Sequence, residues 1–347
     1  MCEPGAGTHR TCRHVPSDDS PGYYRLALTG RGNATHYHKA RPSLERLESF
    51  PVSASNRNLP DRKLCPLRAG ALSRIRWLVH GFTTRSGGVS DAYGGLALNL
   101  GYTKHDPHAA VDENRALLLR SLRAVNASGK PWPLVRLHQI HSDIIHRVEH
   151  PPEQLLSGDG VVTDTPRLLL AVQTADCLPV LLVDPERRAV GAFHAGWRGT
   201  LARIVEKGVG AMRLYFGSNP GDLRAAIGPG IAACCYAVGE EIRDRFHAQF
   251  AYAGDLFREV TESDPVREKY PLLFLTARAP GHSDVGRTIY LDLREANRRQ
   301  LLAAGLFPTR ITALDFCTAC RTDLFFSHRA EKAVTGRQMG VVGIADL

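Results

Sequence analysis

The sequence predicts an α/β domain with a mixed β-sheet core covered by helices, preceded by a disordered N-terminal extension. Three observations predict it. From Arg76 onward, short apolar runs alternate with segments of helical period. Hydrophobic residues make up 43% of the 347 residues, enough for a sizeable core. Residues 1–70 mix Pro, Gly, Ser, His and Arg without a sustained apolar period. The expected division is a basic extension over 1–70 and one folded domain over 71–347. A start codon placed upstream of the true one would produce the same pattern.

The elements follow in order. Trp77 to Phe82 reads as a strand, and Arg85 to Tyr93 as a Gly-rich loop whose amides suit an anion. Pro107 to Arg123 is helical, with Val111, Leu117, Leu118, Leu119 and Leu122 on an apolar face. Leu134 to His138 and Ile144 to Val148 are strands, which puts His141 in the bend between them. Leu168–Val172, Leu178–Val183 and Ala189–Phe193 are near-continuous apolar runs of the kind that form buried strands. Arg198 to Phe216 repeats Ala202, Val205, Val209, Met212 and Phe216 at three- and four-residue steps, a helix whose start favours an anion. Leu223–Ile227 is a strand, Val238–Phe250 a helix, and Tyr290–Ala304 a helix opened near Asp292. Ile311–Ala313 and Gly340–Ile344 are short strands.

Composition excludes several classes. No apolar run approaches the roughly eighteen residues of a membrane span. The N-terminus has no apolar stretch of the secretory kind, and Glu3, Asp18 and Asp19 speak against a transit peptide. The net charge of +9 is concentrated in the extension, where 11 Lys and Arg face 6 Asp and Glu. No basic stripe interleaved with aromatic residues is present, so nucleic acid is not the expected partner. Eight cysteines in a chain this long are not a disulfide framework, and a cytoplasmic setting is expected.

Chemistry concentrates in Thr174-Ala175-Asp176-Cys177-Leu178-Pro179-Val180 and His194-Ala195-Gly196-Trp197-Arg198-Gly199, with His138-Gln139-Ile140-His141-Ser142 upstream. Cys177 and His194 stand at the ends of neighbouring apolar runs, so they can meet in space. Thiolate and neutral imidazole are both zinc ligands, and three protein ligands with one open position is the catalytic zinc pattern. A buried core cysteine beside a satisfied histidine fits the same spacing.

Taken together, these segments resemble the YfiH family, also called the laccase-domain or polyphenol-oxidase-like family, whose members act as purine nucleoside phosphorylases. The resemblance runs from about Leu78 to Leu347. It also rests on His80-Gly81-Phe82-Thr83-Thr84-Arg85-Ser86-Gly87-Gly88, Leu98-Asn99-Leu100-Gly101, Asp112-Glu113-Asn114-Arg115 and Asp159-Gly160-Val161-Val162-Thr163-Asp164. Further along come Ile227-Gly228-Pro229-Gly230-Ile231, Cys234-Cys235-Tyr236, Phe325-Phe326-Ser327-His328-Arg329 and Thr335-Gly336-Arg337. The resemblance implies zinc on His141, Cys177 and His194, with these three as the catalytic residues. It implies purine nucleosides and phosphate as substrates (adenosine, inosine or guanosine, and methylthioadenosine), with adenosine deamination at the same site. Three features depart from it: Ser142 in place of a glycine, a long Ala251–Arg287 segment, and the first seventy residues.

Phosphate needs a cationic partner, and guanidinium forks fit it. The candidates are Arg85, Arg115, Arg198, Arg329 and Arg337, with Arg115 and Arg337 preferred; Asp176 is a candidate to orient a metal ligand or to cap a turn. Two other chemistries stay open. One is a metal-free hydrolase with Cys177 as nucleophile and His194 as base, for which the resemblance implies peptidoglycan precursors as substrates. The other is a copper-dependent polyphenol oxidase. Only three methionines (Met1, Met212, Met339) and a single His-x-His pair, His36-Tyr37-His38, speak against multicopper chemistry, and copper at the His-Cys-His site in vitro would be adventitious. A non-catalytic partner protein working through the basic extension is a third class. Cys317-Thr318-Ala319-Cys320 is a lone C-x-x-C, read as packing, and the adjacent Cys234 and Cys235 are not expected to share a metal.

Overall fold

Strand-forming runs dominate the middle of the chain. In the computed structural model, which describes residues 64–261, 287–332 and 334–346, they build two mixed sheets. The first has the order β1 (Leu78–Phe82), β16 (Gln338–Ile344), β8 (Leu169–Thr174), β3 (Leu134–Val135). The second has the order β15 (Ile311–Ala313), β11 (Arg224–Ile227), β9 (Leu178–Asp184), β10 (Ala189–Ala195), β7 (Gly160–Thr163), β5 (Ile145–Arg147). In each sheet an outer pair is parallel and the inner pairs are antiparallel, so both are mixed. Smaller sheets join β12 (Ala237–Val238), β14 (Arg287–Leu291) and β13 (Phe257–Thr261), and β4 (Leu137–His138) with β6 (Leu156–Ser157).

Alternation along the strands places the sheets face to face. Leu170 and Val172 of β8, Leu181 and Val183 of β9, and Val190 and Ala192 of β10 share one buried cluster. Their neighbours point the other way. Leu169 and Ala171 meet Leu118 and Leu119 of α1 (His108–Ser121). Val180, Leu182, Phe193 and Ala195 meet α3 (Ile204–Phe216), α4 (Glu240–Gln249) and α5 (Leu293–Ala303). Each sheet is therefore covered on both sides, which explains why β8, β9 and β10 read as continuous apolar runs. Phe193 is fully buried, and a Cβ at Gly208 would lie 2.6 Å from its ring, so α3 approaches β10 through a glycine. Burying a side chain of this size contributes about 2–3 kcal/mol.

Local chemistry changes several expected boundaries. The single helix over Arg198–Phe216 is two, α2 (Trp197–Leu201) and α3, because Arg203 takes a left-handed backbone with φ 64°. The helix over Val238–Phe250 starts at Glu240, after Gly239, and Val238 belongs to β12. The first part of the Tyr290–Ala304 helix is strand β14. Asp292 then caps α5, accepting from the Glu295 amide at 2.9 Å. The Gly-rich anion loop is a packed strand, β2 (Ser86–Ser90): the Gly88 amide donates to Leu96 O and the Val89 amide to Asn114 Oδ1.

Residues 64–70, placed by composition in the extension, pack onto the domain. Leu67 exchanges both backbone hydrogen bonds with Phe82, and Ala69 is buried. The rest of the expected extension, including His36-Tyr37-His38, lies outside the described residues, as does most of the long segment before Arg287.

Candidate active site

β9 and β10 are antiparallel, with His194 opposite Pro179 and Ala195 opposite Leu178. One step further, Gly196 meets Cys177. A Cβ there would lie 2.9 Å from Cys177 Sγ and 3.2 Å from His141 Cδ2. His141 arrives from the bend between β4 and β5 with φ 60°, a left-handed conformation that costs a non-glycine residue roughly 1 kcal/mol or more. The ligating atoms of His141, Cys177 and His194 lie within 4.8 Å of one another, and the two imidazoles meet edge to face at 4.9 Å. His194 is buried, Cys177 half-buried and His141 exposed, so the cluster opens on the His141 side.

Asp159, to which the sequence reading assigned no role, organises this cluster. Its side chain is wholly buried just ahead of β7. Oδ1 accepts from His194 Nδ1 at 2.7 Å and from the His141 amide at 3.1 Å. Oδ2 accepts from the amides of Ile140 (3.2 Å) and Ser142 (2.6 Å) and from Ser142 Oγ (2.8 Å). One carboxylate thus holds the 140–142 bend and fixes the His194 tautomer, leaving Nε2 for a metal. The signal in the sequence was an aspartate abutting the buried run Gly160–Thr163, since a buried carboxylate is seldom left unpaired. Ser142, a departure from the family pattern, works here as a donor to that carboxylate.

Electrostatics favour a charged cluster. Burial would raise the Asp159 carboxyl, but the His194 and Ser142 hydrogen bonds outweigh it and bring it to about 2. Burial would likewise raise the Cys177 thiol, yet the charge of His194 and hydrogen bonds from both histidines lower it to about 6. His194, which burial alone would lower, rises to about 9 through Cys177 and Asp159. Two imidazoles and a thiolate, with no fourth His, Cys or carboxylate donor grouped with them among the described residues, fit a zinc ion that keeps one position open.

Among the described residues the Asp176 carboxylate makes no hydrogen bond to the histidines. With φ 99°, it accepts from Thr318 Oγ1 and Ser327 Oγ at Oδ1 and from the Arg329 amide at Oδ2, each at 2.7 Å. It ties the segments that floor the site. Arg85 is engaged by Thr322 O, Tyr93 O and Glu331. Arg115 is engaged by Leu100 O and Asp112 and stacks on Tyr102 at 4.1 Å. Their guanidinium groups are committed to protein acceptors. Arg337 donates to Thr335 O and Gly336 O. Arg198 is exposed, and its guanidinium meets only the Trp197 ring among the described residues.

Arg329 donates to Ala237 O and lies 5.2 Å from the Tyr236 ring centre. Tyr236 itself feels the charges of Cys177, Arg329, Asp176 and Arg198. Burial and the Cys177 charge hold its phenol well above the usual tyrosine range, so it stays a hydrogen-bond donor.

A second cluster corrects the sequence reading of the remaining cysteines. The sulfurs of Cys234, Cys235, Cys317 and Cys320 lie within 4.8 Å of one another. Parallel pairing of β11 with β15 continues into a Gly230–Cys317 bridge, which brings the two segments together across more than eighty residues.

The fold and the His-Cys-His cluster together define a class: an α/β protein with the donor set to hold a metal ion. The family described as multi-copper polyphenol oxidoreductase laccase matches residues 79–345, and the chain belongs to it, the YfiH or laccase-domain family. A purine nucleoside phosphorylase of Deinococcus radiodurans is 38% identical over 267 residues, covering 76% of this chain and 88% of its own. The crystal structure of YfiH from Bacillus licheniformis is similar with a TM-score of 0.63 at 33% identity, over 77% of this chain and 92% of that one. YlmD from Geobacillus stearothermophilus gives a TM-score of 0.64 at 30% identity, over 82% and 97%. Met212 and Met339 sit in the apolar cores, where they serve packing.

Proposed function

We propose that the chain is a zinc-dependent purine nucleoside phosphorylase. It would convert adenosine, inosine or guanosine, and methylthioadenosine, with phosphate, to the base and the pentose 1-phosphate, and would deaminate adenosine in the same pocket. The observation that carries the reading is the meeting of His141, Cys177 and His194 within 4.8 Å around one opening. Its support is that relatives at 38% and 34% identity are named purine nucleoside phosphorylases. A cytoplasmic setting, where Cys177 stays reduced, belongs to the same reading.

In phosphorolysis a phosphate oxygen bonds to the anomeric carbon as the bond to the purine nitrogen breaks. The base leaves with that electron pair and takes up a proton. Positioning and charge stabilisation do most of this work. Zinc held by the three residues would supply positive charge beside the anionic nucleophile and, for deamination, would lower the pKa of a water. Asp159 keeps His194 Nδ1 protonated and the His141 bend in place. Gly196 leaves room at the Cys177 sulfur. Arg198, whose fork meets no protein acceptor among the described residues, is the arginine assigned to phosphate. The Tyr236 phenol donates a hydrogen bond to the nucleoside.

The Cys177–His194 pair with its lowered thiol, completed by Asp159, favours a second reading: a cysteine hydrolase with Cys177 as nucleophile. One experiment separates the two. Purified protein is incubated with adenosine and varied phosphate, with and without chelator, and the products are separated by chromatography. The phosphorylase reading requires adenine and ribose 1-phosphate to rise with phosphate and to vanish with chelator. Adenine release indifferent to phosphate would make the enzyme a nucleoside hydrolase. Undiminished turnover without metal would favour the cysteine hydrolase.

A further inference from the structure

We propose that Cys234, Cys235, Cys317 and Cys320 form a second metal site, a closed tetrathiolate centre for zinc that staples the floor of the active site. Four sulfurs surround one point within 4.8 Å of one another, and Cys320 Sγ lies 3.5 Å from Cys234 Sγ and 3.3 Å from Cys235 Sγ. A tetrahedron with zinc–sulfur bonds of about 2.3 Å has edges of about 3.8 Å, so the two short edges would open by a few tenths of an ångström and an edge at the 4.8 Å bound would close by about 1 Å. One disulfide would join only two of the four, whereas both neighbours of Cys320 approach the same sulfur. Cys317 Sγ also accepts from the Ala232 amide at 3.4 Å, a contact that stabilises a thiolate ligand.

The location gives the centre its purpose. Ile231 and Thr318, beside the two cysteine pairs, both hold Asp176: the Ile231 amide donates to Asp176 O and Thr318 Oγ1 to Asp176 Oδ1, each at 2.7 Å. The Thr318 amide donates to Gly230 O at 3.0 Å, crossing from one segment to the other. Asp176 precedes Cys177, and Tyr236 follows Cys235. Joining the 234–235 and 317–320 segments through one ion fixes the backbone on both sides of the catalytic sulfur. The four-ligand site is closed and structural, and the three-ligand site is open. On binding, each of the four thiols gives up its proton and the sulfur lone pair forms the metal bond, with no change in oxidation state.

Metal content of the full-length protein, purified under reducing conditions with zinc, tests this apart from the phosphorylase reading. The His141→Ala/Cys177→Ala variant keeps only the cysteine centre and is expected to retain about one zinc per chain. Cobalt in that variant should give the intense thiolate-to-metal charge-transfer absorption of an all-sulfur site. The Cys317→Ser/Cys320→Ser variant should hold one zinc fewer than the wild type. A His141→Ala/Cys177→Ala protein that retains no metal overturns the proposal whether or not the cysteine variant folds. Thiol titration of wild-type protein, denatured with chelator and without reductant, should count all 8 cysteines. Two fewer, with the blocked pair mapped by peptide digestion to Cys234, Cys235, Cys317 or Cys320, would mean a disulfide occupies the cluster, which also overturns the proposal.

Discussion

Replacing Asp159 by asparagine removes one charge and almost no volume, yet it should disable the site. The carboxylate accepts five hydrogen bonds from Ile140, His141, Ser142 and His194. An amide oxygen in the Oδ2 position keeps three of them. The amide nitrogen then faces two donors, the His141 amide and His194 Nδ1. To avoid that clash the His194 proton moves to Nε2, the nitrogen needed for the metal. A carboxyl held at about 2 rather than 3.8 is worth roughly 2–3 kcal/mol at neutral pH. Two opposed donors at charge-assisted positions point to a similar loss, about 1.5–3 kcal/mol each before relaxation. For a domain of this size a kcal/mol moves Tm by about 2–4 °C, so metal-free Asp159→Asn should melt roughly 5–10 °C lower. Zinc affinity, read by competition with a chromophoric chelator, should fall about 10–100-fold. The wild-type advantage should be present above pH 3.8 and should disappear as pH falls through about 2, because the folded carboxyl is the more acidic. A variant with unchanged melting temperature and zinc affinity would refute the role given to Asp159.

Cys177→Ala should leave far-UV circular dichroism unchanged while abolishing zinc binding at the three-ligand site and phosphorolysis together; activity retained after metal loss would point to another mechanism. Arg198→Ala should raise the phosphate concentration needed for half-maximal adenine release by about tenfold or more, the cost of one charge-assisted contact, and should spare inosine formation. Arg115→Ala should instead lower stability, since its fork is bound to Leu100 O and Asp112, and thermal melts beside the phosphate titration separate the two outcomes. His80 is fully buried, and burial followed by the Arg68 charge pushes it down to about 4. The unfolded chain therefore takes up a proton there first, so stability should fall by about 3 kcal/mol between pH 6.5 and about 4 and then level off, as denaturant titrations at stepped pH will read.

What the sequence made legible follows from which interactions are local. The buried strands β8, β9 and β10 announced themselves because both faces of each are covered, and α1 because its apolar stripe is continuous. The existence of two facing sheets was not legible, since an apolar run states that a strand is buried and not which layer buries it. The break at Arg203 and the strand before Asp292 were missed because tertiary contacts override helical period there. At the site, His141, Cys177 and His194 were singled out by residue type and motif. Asp159 was not assigned, because its donors come from a bend eighteen residues upstream and a strand end thirty-five residues downstream. The four-cysteine cluster escaped for the same reason: spacing along the chain showed one C-x-x-C, and only the β11–β15 pairing supplies the other two sulfurs.

The three ligands differ in how they are mounted. Cys177 directly precedes β9 and His194 lies on β10, adjoining inner strands of a covered sheet, whereas His141 rides on an exposed bend held through a single carboxylate. Two donors are set by sheet backbone, and the third by the hydrogen bonds of the bend. An ion leaving past His141 would require residues 140–142 to let go of Asp159. The amide protons of Ile140, His141 and Ser142 become a clock for that event, and their exchange with deuterium should slow together when the site is filled.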